Sequence, residues 1–581
     1  MDQVTDHPVG ERWTSLPGMM LGLAARNPDA PMIRHWEGGG WKRTLWRDFA
    51  LAVANVAAGL RARGVSPGDR VLLAMESRPE FLIADTAVMA IGAVMVPTYV
   101  TNTVADHAHV LRDSGARAAI AGRARLAGLL REAAGAEHGG AGLDLLVCLE
   151  AAEGAVAWAE LAAAPGDLAM LVAEAEQIPE GRLACLIYTS GTGGKPRGVM
   201  LPHRAMLANR EGVAPFIRRL GIYWKGECYL SFLPLSHAYE HTVGGFLLPS
   251  CGLEIVFSRG ADRLANEFRE IEPALVTAVP RLFEVLRGRI LAGLEKEKPW
   301  KRRLFERALA LGLRRLDGPP LGLLARVEDA VLDRLVRNPI RARFGGRLCA
   351  LVSGGARLDP DLSGFFLALG VTVLQGYGQT EAGPVVAVNL PWDNHRRTVG
   401  RPVEGVETRI AEDGELLIRG KLVMDGYWGD AEATGRALSV PPGEEQGEER
   451  PWLHTGDVGA IDGDGRLTIT DRKKDFIKTL GGDMVSPARI ETLLMAEPEI
   501  AQAVVAGEGR PGIVALIVPA EGASPDKAVQ RINGKLSSLE RVRKWKAVDA
   551  FTLENGLLTP TMKVKRKAVL ERHAGTVEEL Y

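Results

Sequence analysis

Along roughly the first 180 residues, stretches with helical periodicity alternate with short apolar runs, which is the pattern of an α/β fold. Residues 53–64 are rich in Ala and Leu at helical spacing and end at Gly64, and the apolar residues 71–74 that follow predict a buried strand. The alternation continues with a helix predicted at 80–92 and with strands predicted at 93–97, 118–121 and 145–149. The pattern therefore predicts an α/β architecture with buried strands.

The segment 287–343 has a helical pattern that contains prolines at three places, Pro299, Pro319-Pro320 and Pro339. Because proline lacks a backbone N–H, we expect the helix to break at each of them. The run Asp317-Gly318-Pro319-Pro320 predicts a loop between two helical stretches. Residues 439–451 are rich in Gly, Glu and Pro, which predicts an exposed loop.

The character of the chain changes after the basic run Asp471-Arg472-Lys473-Lys474, which is the candidate linker. Beyond it, strands are predicted at 503–506 and 513–518, with helices between them. The remainder of about 110 residues is long enough for a small second domain. We therefore predict two domains, at residues 1–472 and 473–581.

The composition is that of an ordinary globular chain, with 46% hydrophobic and 25% charged residues and a net charge of −1. Nothing in that balance directs the chain to nucleic acid. The five cysteines are scattered and form no CxxC pair, which disfavours a zinc site and suits a reducing compartment. The N-terminus lacks the basic start of a secretory signal. We therefore expect a cytoplasmic protein.

The longest apolar stretch, residues 81–99, contains Asp85, Gly92 and Pro97. These interruptions disfavour a membrane span. The stretch instead predicts a buried helix that runs into a buried strand.

Positive charge is concentrated between Arg287 and Arg347, where sixteen Lys or Arg stand against seven Asp or Glu. One interpretation is a basic surface that makes peripheral contact with anionic lipid at the inner membrane face. The other is a solvated face whose arginines pair with local acids. The sequence leaves both interpretations open.

The strongest chemical signal is the run Tyr188-Thr189-Ser190-Gly191-Thr192-Gly193-Gly194-Lys195-Pro196-Arg197-Gly198, which follows the apolar residues 183–187. Its glycines allow backbone N–H groups to approach a phosphate, its hydroxyls add donors, and its lysine supplies positive charge. A Walker loop requires Gly six residues before the lysine and Ser or Thr directly after it, but those positions hold Thr189 and Pro196. The alternative, a flexible surface turn, would leave the freedom of four glycines without a use. We predict a phosphate-binding loop of another kind.

Two further glycine-flanked motifs suit a nucleotide. In Gln375-Gly376-Tyr377-Gly378-Gln379-Thr380-Glu381, a ring that could stack on a base precedes a carboxylate suited to Mg²⁺. In Leu453-His454-Thr455-Gly456-Asp457-Val458-Gly459, the aspartate could accept both hydroxyls of a ribose. Each motif alone is also explained by an ordinary turn, an Asx-turn or a helix cap. Downstream of the phosphate-type loop, they favour a nucleotide site.

The motifs occur in the order found in the adenylate-forming superfamily, which includes acyl-CoA synthetases, luciferases and nonribosomal adenylation domains. The chain resembles that superfamily over nearly its whole length, and it resembles most closely the branch of long-chain fatty acyl-CoA synthetases. The resemblance is carried by Leu233-Pro234-Leu235-Ser236-His237-Ala238-Tyr239-Glu240, Val279-Pro280-Arg281-Leu282-Phe283-Glu284, Phe344-Gly345-Gly346-Arg347, Ser353-Gly354-Gly355-Ala356 and Leu557-Leu558-Thr559-Pro560-Thr561-Met562-Lys563-Val564-Lys565-Arg566. It implies a large N-terminal multi-sheet α/β domain and a small, mobile C-terminal α+β domain.

The resemblance also implies a role for each motif in binding ATP. The residues implied to hold the β- and γ-phosphates are Thr189, Ser190, Gly191, Thr192, Gly194 and Lys195. Thr189 and Glu381 are the implied magnesium contacts. The residues implied to surround the adenine and the α-phosphate are Gly355, Ala356, Gln375, Gly376, Tyr377, Gly378 and Thr380. Asp457 is implied to hold the ribose diol, with Arg472 nearby.

Lys563 matches the catalytic lysine that the superfamily carries near its C-terminus. Its ammonium would stabilise the negative charge that gathers on oxygen when a carboxylate attacks the α-phosphate. Composition alone would instead assign Lys563 and its basic neighbours to a solvated tail. His237 matches a position near the entrance of the acyl pocket, although a lone histidine is often structural, and the sequence leaves its role open.

For the second half-reaction, the superfamily rotates its C-terminal domain so that the thiol of coenzyme A reaches the acyl-adenylate. Lys474 occupies the hinge position by similarity, and Gly481-Gly482 would let the pantetheine arm pass close to the backbone. The implied activity is therefore a ligase that activates a fatty acid with ATP and magnesium and then transfers the acyl group to coenzyme A.

Other functions compete with this one. An adenylating ligase could act on another carboxylic acid or deliver to an acyl carrier protein, and the sequence separates these options poorly. An inactive scaffold is disfavoured because Lys563 and Glu381 are both present. A generic P-loop NTPase is disfavoured by the failed Walker spacing. The oligomeric state, a homodimer included, stays open.

Overall fold

A computed structural model describes residues 12–189, 195–260, 262–440, 450–481, 483–552, 554–559 and 563–581. Within them, three sheets precede residue 473 and two follow it. Parallel strands occupy the centres of the two largest sheets, whereas the third sheet is antiparallel. The predicted mixed α/β, multi-sheet fold is confirmed.

An eight-stranded sheet contains the strands predicted near the N-terminus. Its inner strands are parallel and mainly apolar, as expected for strands covered on both faces. An antiparallel pair, Leu183–Thr189 with Arg197–Pro202, lies toward one edge of the sheet. In spatial order the strands are Gly426–Tyr427, Arg197–Pro202, Leu183–Thr189, Val94–Thr98, Arg70–Ala74, Ala118–Ala121, Leu145–Cys148 and Val156–Ala157.

A nine-stranded sheet supplies most of the remaining frame. Its central strands are parallel, and antiparallel strands complete its two edges. In spatial order they are Arg401–Pro402, Val385–Val388, Val373–Gly378, Ala350–Ser353, Leu275–Ala278, Cys228–Ser231, Glu254–Phe257, Pro31–Glu37 and Gly40–Leu45.

A smaller antiparallel sheet follows in the chain and includes the third nucleotide motif. Its strands are Val406–Ile410, Glu415–Gly420, Trp452–Ile461, Leu438–Ser439 and Leu467–Arg472. Most of the loop predicted at 439–451 lies outside the described residues.

Helices cover both large sheets. The predicted helix at 80–92 is observed at Pro79–Ala90, and it runs into the buried strand Val94–Thr98, so the interpretation of 81–99 as a buried helix and strand is confirmed. No helix among the described residues combines the length and the apolar character that crossing a bilayer requires. Other α-helices up to residue 280 are Leu16–Arg26, Trp46–Ala62, Val104–Ser114, Ala124–Ala133, Trp158–Ala162, Leu168–Glu176, His203–Arg219, Ala238–Thr242, Leu248–Ser250 and Leu264–Ile271, with a π-helical turn at Val243–Leu247 and a 3₁₀ turn at Ala136–His138.

The part of the chain after residue 473 builds a separate core on a three-stranded sheet and a two-stranded ribbon. The strands predicted at 503–506 and 513–518 are observed as Ile500–Ala506 and Ile513–Pro519. The other elements are the strands Val542–Ala547, Ile477–Lys478 and Met484–Val485 and the helices Pro487–Met495, Asp526–Asn533, Arg566–Arg572 and Ala574–Glu578.

Residues 280–343 form a helical insertion between two strands of the nine-stranded sheet. As predicted, a loop at Pro319-Pro320 separates two helices, and the helical pattern also breaks at Pro299. One helix ends at Glu295 and the next begins at Pro299, because the first helical turn does not need the N–H that proline lacks. The expected break at Pro339 is wrong. A π-helical turn, Asp333–Arg337, precedes it and leaves helical backbone continuous into Asn338–Arg343. The helices of this region are Pro280–Glu295, Pro299–Asp317, Leu323–Leu332 and Asn338–Arg343, followed by Pro360–Ala368, a 3₁₀ turn at Thr380–Ala382 and Ala431–Ala437.

Arg337, a fully buried arginine, ties the insertion to the core. Its Nε donates to the Ala368 carbonyl and its Nη2 donates to the Ala308 carbonyl, each at 2.8 Å. Its Nη1 lies 2.8 Å from Oδ1 of Asp329. One guanidinium therefore joins three helices.

We expect Arg337→Ala to destabilise the protein, because it leaves two backbone carbonyls without their donor and removes one of the two arginines that pair with the mostly buried Asp329 carboxylate. Breaking a buried ion pair costs roughly 3–5 kcal/mol, so the apparent Tm should fall by several degrees. Differential scanning fluorimetry measures this. The matched control is Arg334→Ala, three residues earlier and exposed, which should leave the Tm unchanged. Equal shifts in the two variants would contradict the assigned role of Arg337.

Candidate functional site

The phosphate-type loop joins the two antiparallel strands Leu183–Thr189 and Arg197–Pro202. Thr189 stands opposite Arg197 at the end of this pair, and Lys195 is exposed just before the second strand begins. Thr189 and Lys195 both line the large cavity described below. The predicted residues Ser190, Gly191, Thr192 and Gly194 lie outside the described residues.

The second motif begins on the strand Val373–Gly378 and ends in the 3₁₀ turn Thr380–Ala382. Gly378 is required sterically, because a Cβ at that position would lie 1.9 Å from the carbonyl oxygen of Pro384. Gly355, at the end of a neighbouring strand, adopts a φ of +75° that favours glycine. On the cavity lining, Gly378 therefore lets two backbone segments pack together, and Gly355 lets the chain turn.

The third motif pairs Asp457 directly with Arg472 across two antiparallel strands. Arg472 Nε lies 3.3 Å from Asp457 Oδ1, and the Tyr377 hydroxyl donates to Asp457 Oδ2 at 2.5 Å. Burial raises the pKa of the Asp457 carboxyl, whereas the Arg472 charge and the Tyr377 hydroxyl act in the opposite direction. The second and third motifs thus meet through a direct hydrogen bond.

Glu381 is held by a tyrosine that the sequence analysis did not single out. The Tyr427 hydroxyl donates to Glu381 Oε1 at 3.0 Å. The Arg197 guanidinium lies 5.4 Å from the centre of the Tyr427 ring and 3.3 Å from Asp430. Tyr427 is therefore fixed between the loop strand and the carboxylate. Its only sequence signal is the run Gly426-Tyr427-Trp428, which resembles an ordinary turn.

Lys563 reaches the site from the C-terminal part of the chain. Its backbone N–H donates to Thr559 Oγ1 at 3.0 Å and its carbonyl accepts from the Thr559 N–H at 2.7 Å, which closes a tight loop that carries the lysine. The side chain is accessible from the cleft, but protein atoms surround it, and this loss of water lowers its pKa to about 8. The charge of Arg472 lowers the pKa further, and Asp457 opposes it. The ammonium therefore lies within electrostatic reach of the Asp457–Arg472 pair.

His237 also lines the cavity, at the start of the helix Ala238–Thr242. Its Nδ1 accepts from the Tyr239 N–H at 3.2 Å. Burial, and then the charge of Lys563, lowers the pKa of His237 to about 4, so the ring is neutral at physiological pH. A neutral ring with Nδ1 occupied carries its proton on Nε2.

The segment that carries His237 is anchored from behind by the fully buried Glu240. This carboxylate accepts hydrogen bonds from the hydroxyls of Tyr229, Ser231 and Thr277 on two parallel strands. Burial raises the pKa of Glu240, and the three hydroxyls oppose that shift. The network fixes the wall of the cavity to the nine-stranded sheet.

One cavity of approximately 2970 Å³ brings the predicted residues together. Of those that the structure describes, only Gly481 is not part of its lining; Gly482 lies outside the described residues. Predicted residues on the lining are Thr189, Lys195, His237, Gly355, Ala356, Gln375, Gly376, Tyr377, Gly378, Thr380, Glu381, Asp457, Arg472, Lys474 and Lys563.

An apolar arm of the same cavity was not anticipated from sequence. The helix His203–Arg219 and the residue after it contribute Val213, Phe216, Ile217 and Leu220, and the π-helical turn contributes Val243 and Leu247. These residues have the spacing of ordinary core positions, so the sequence offered no signal for them. A lining that combines polar and charged groups with apolar walls suits an amphiphilic ligand with an anionic head.

The described residues contain no cluster of three or more His, Cys, Asp or Glu side chains that could hold a metal ion by themselves. Glu381 uses one carboxylate oxygen to accept from Tyr427, and Oε2 makes no hydrogen bond among the described residues. The donor set is oxygen only, with Thr189 on the same cavity lining. Such a sparse set fits Mg²⁺, which binds through one or two protein carboxylates together with substrate phosphates.

Comparisons with known proteins agree with this geometry. Long-chain-fatty-acid–CoA ligase FadD15 of Mycobacterium tuberculosis is 35% identical, over 99% of this chain and 98% of its own length. Long-chain-fatty-acid–CoA ligase 6 of Mus musculus is 26% identical, over 100% and 87%. The structure of o-succinylbenzoate coenzyme A synthetase from Bacillus subtilis, in complex with ATP and magnesium ion, superposes with a TM-score of 0.70 at 19% identity, covering 95% of this chain and 98% of that one.

The model of the AMP-binding enzyme family matches residues 23–428, which is more than half of the chain. The model of the AMP-binding enzyme C-terminal domain matches residues 474–581. The chain belongs to the AMP-binding enzyme family.

Proposed function

We propose that this protein is an AMP-forming fatty acid–CoA ligase that acts on long-chain acids. The observation that carries the proposal is the meeting of a nucleotide-type site, the Lys563 ammonium and an apolar arm in one cavity. The full-length similarity to ligases named for long-chain fatty acids supports the substrate class. The comparisons do not favour the alternative, an adenylating ligase that delivers to a carrier protein, and the experiment below separates the two.

In the first half-reaction, the fatty acid carboxylate attacks the α-phosphate of ATP, the bond to the β-phosphate breaks, and pyrophosphate leaves. Tyr377 borders the adenine, Asp457 accepts the ribose hydroxyls, and Thr189 and Lys195 border the phosphates. Negative charge grows on the α-phosphate oxygens in the transition state. The ammonium of Lys563, surrounded by protein atoms in the cleft, stabilises that charge more than it stabilises the ground state.

Magnesium is held by Glu381 and Thr189 in this proposal, and it offsets phosphate charge when bound. Tyr427 keeps the Glu381 carboxylate turned toward the cavity through its hydrogen bond. The neutral His237 borders the entry to the apolar arm, where an uncharged imidazole adds no net charge beside the substrate carboxylate. Lys195 and Arg472 then supply the cationic surroundings on the nucleotide side.

In the second half-reaction, the thiol of coenzyme A attacks the acyl carbonyl, and AMP leaves. This step requires Lys563 to withdraw and a route for the pantetheine arm to open. We propose a hinge at Lys474, which lies in the turn that follows the strand Leu467–Arg472. Gly481, which is exposed and outside the cavity lining, would turn toward the cavity in that state.

The central test measures AMP formation by the purified protein with ATP, Mg²⁺, coenzyme A and saturated fatty acids of increasing length. We expect turnover that requires coenzyme A and peaks at long chains. Lys563→Ala should lower adenylation by roughly 10²–10³-fold, because it removes one transition-state contact. The same variant should still convert a supplied acyl-adenylate to acyl-CoA. Pyrophosphate release that is indifferent to coenzyme A would favour the carrier-protein alternative, and no turnover with any acid would refute the proposal.

The lowered pKa of Lys563 predicts an alkaline limit on adenylation. A pKa of about 8 means that the active ammonium is present below that pH and is lost above it. The kcat/KM of pyrophosphate–ATP exchange without coenzyme A, which reports the free enzyme, should therefore fall by about tenfold per pH unit above pH 8. Lys563→Arg, which stays cationic, should be slower but should lack this decline. The same decline in both proteins would assign the titration to another group.

The Tyr427–Glu381 contact predicts a specific effect on magnesium dependence. Tyr427→Phe removes the hydroxyl that orients the carboxylate, so the Mg²⁺ concentration for half-maximal adenylation should rise by about tenfold. The rate at saturating Mg²⁺ should change little. The matched control is Tyr581→Phe, which loses hydrogen bonds to the backbone carbonyls of Ala506 and Gly512 in the C-terminal part of the chain and should keep the normal Mg²⁺ dependence. An unchanged Mg²⁺ requirement in Tyr427→Phe would show that Tyr427 does not orient the metal carboxylate.

A further inference from the structure

The helical insertion presents an apolar stripe to solvent instead of to the core. The stripe lies on the helix Leu323–Leu332 and the π-helical turn that follows it, and its members are between 51% and 90% exposed. It consists of Leu323, Leu324, Val327, Val331 and Leu335. Isolated exposed leucines are common on protein surfaces, but five apolar residues along one helical segment mark a contact surface.

The opposite face of that segment packs against the rest of the insertion. Leu332 packs with Ala308 and Leu311 of the helix Pro299–Asp317, and Ala325 and Val336 pack against the same small cluster. The stripe therefore contributes nothing to the described core. Its spacing of four residues from Leu323 through Val327 and Val331 to Leu335 keeps it on one side of the helix.

The acids around the stripe are neutralised within the insertion. Glu328 pairs with Arg307, and Asp333 pairs with Arg341. Asp329 is shared between Arg315 and Arg337. Local ion pairs thus neutralise part of the excess positive charge. This agrees in part with the interpretation that the arginines pair with local acids.

Several cations remain outside these pairs. Arg334 lies on the same helical segment as the stripe, and Arg303 and Arg314 are exposed on the neighbouring helix. None of these three makes an ion pair with a residue in the described part of the chain. The surface around the stripe therefore combines exposed apolar side chains with uncompensated positive charge.

We propose that this surface, the stripe together with Arg303, Arg314 and Arg334, docks the protein on an anionic lipid bilayer. Leucine and valine side chains enter the boundary between headgroups and acyl chains, and the arginines contact lipid phosphates. A second copy of the chain is a poorer occupant, because a two-fold interface would bring the same basic surface against itself. The charge of the surface thus selects the anionic partner.

The position of the insertion gives this docking a consequence that rests on the proposed function. Its first helix, Pro280–Glu295, lines the cavity through Arg281, Glu284, Gly288 and Leu291. Docking through the insertion would hold that cavity wall near the lipid in which long-chain acids are dissolved. The docking itself does not depend on catalysis, so it can be tested without ATP or substrate.

The experiment measures co-sedimentation with vesicles of phosphatidylcholine containing about one-third phosphatidylglycerol, in about 0.1 M salt. We expect the wild type to sediment with these vesicles and to remain in solution with pure phosphatidylcholine. The triple variant Leu324→Ser, Val327→Ser, Val331→Ser should bind at least about tenfold more weakly. Arg303→Gln with Arg334→Gln should also bind more weakly and should lose much of its response to salt.

The matched control is Leu51→Ser, because Leu51 is 52% exposed, close to the 51% of Val331, but lies on the helix Trp46–Ala62. It should bind like the wild type, and all variants should keep the wild-type Tm. Failure of the wild type to sediment, or equal binding by the triple variant, would overturn the proposal. Light scattering that finds a dimer in the wild type and a monomer in the triple variant, without vesicle binding, would assign the stripe to self-association and would also overturn it. Neither result would bear on the AMP-forming assay.

Discussion

The site depends on the rule that parallel strands place their carboxyl ends along one edge of a sheet. In the nine-stranded sheet, His237 follows the strand Cys228–Ser231, Gly355 follows Ala350–Ser353, and Glu381 follows Val373–Gly378. The phosphate-type loop follows the carboxyl end of a strand in the other large sheet. Motifs that are separated by almost 200 residues along the chain therefore border one cavity, as open α/β sheets generally arrange.

Much of the fold could be predicted because buried parallel strands leave a strong local signal. Residues 118–121 are apolar at every position and form the strand Ala118–Ala121, with its predicted bounds. Pro339 was misjudged because the rule that proline breaks a helix assumes regular α-helical hydrogen bonding. A preceding π-helical turn changes that pattern and lets the helical backbone continue through the proline.

The residues of the candidate site also divide into those that a sequence motif identifies and those that only tertiary packing brings together. Tyr377, Asp457 and Lys563 stand in motifs whose order identifies them, but their mutual contacts depend on tertiary packing. Tyr427 approaches Glu381 from 46 residues away, and no local pattern marks it as a partner of that carboxylate. The apolar arm was missed for a related reason, since a residue that lines a cavity has the same spacing as one that fills the core. Likewise, the sequence revealed the charge of the insertion but not which face of its helices is exposed.

Two opposing effects act on Lys563, and together they explain why the lysine belongs to a separate part of the chain. Enclosure strengthens the interaction of its ammonium with developing charge, because less water screens it. The same enclosure lowers its pKa to about 8, so a tighter site would begin to remove the proton that makes it useful. A lysine fixed permanently in the cavity would also obstruct any later reactant. A cleft that surrounds the side chain without sealing it keeps the ammonium charged near neutral pH, and it leaves the loop closed by Thr559 free to depart with its own core.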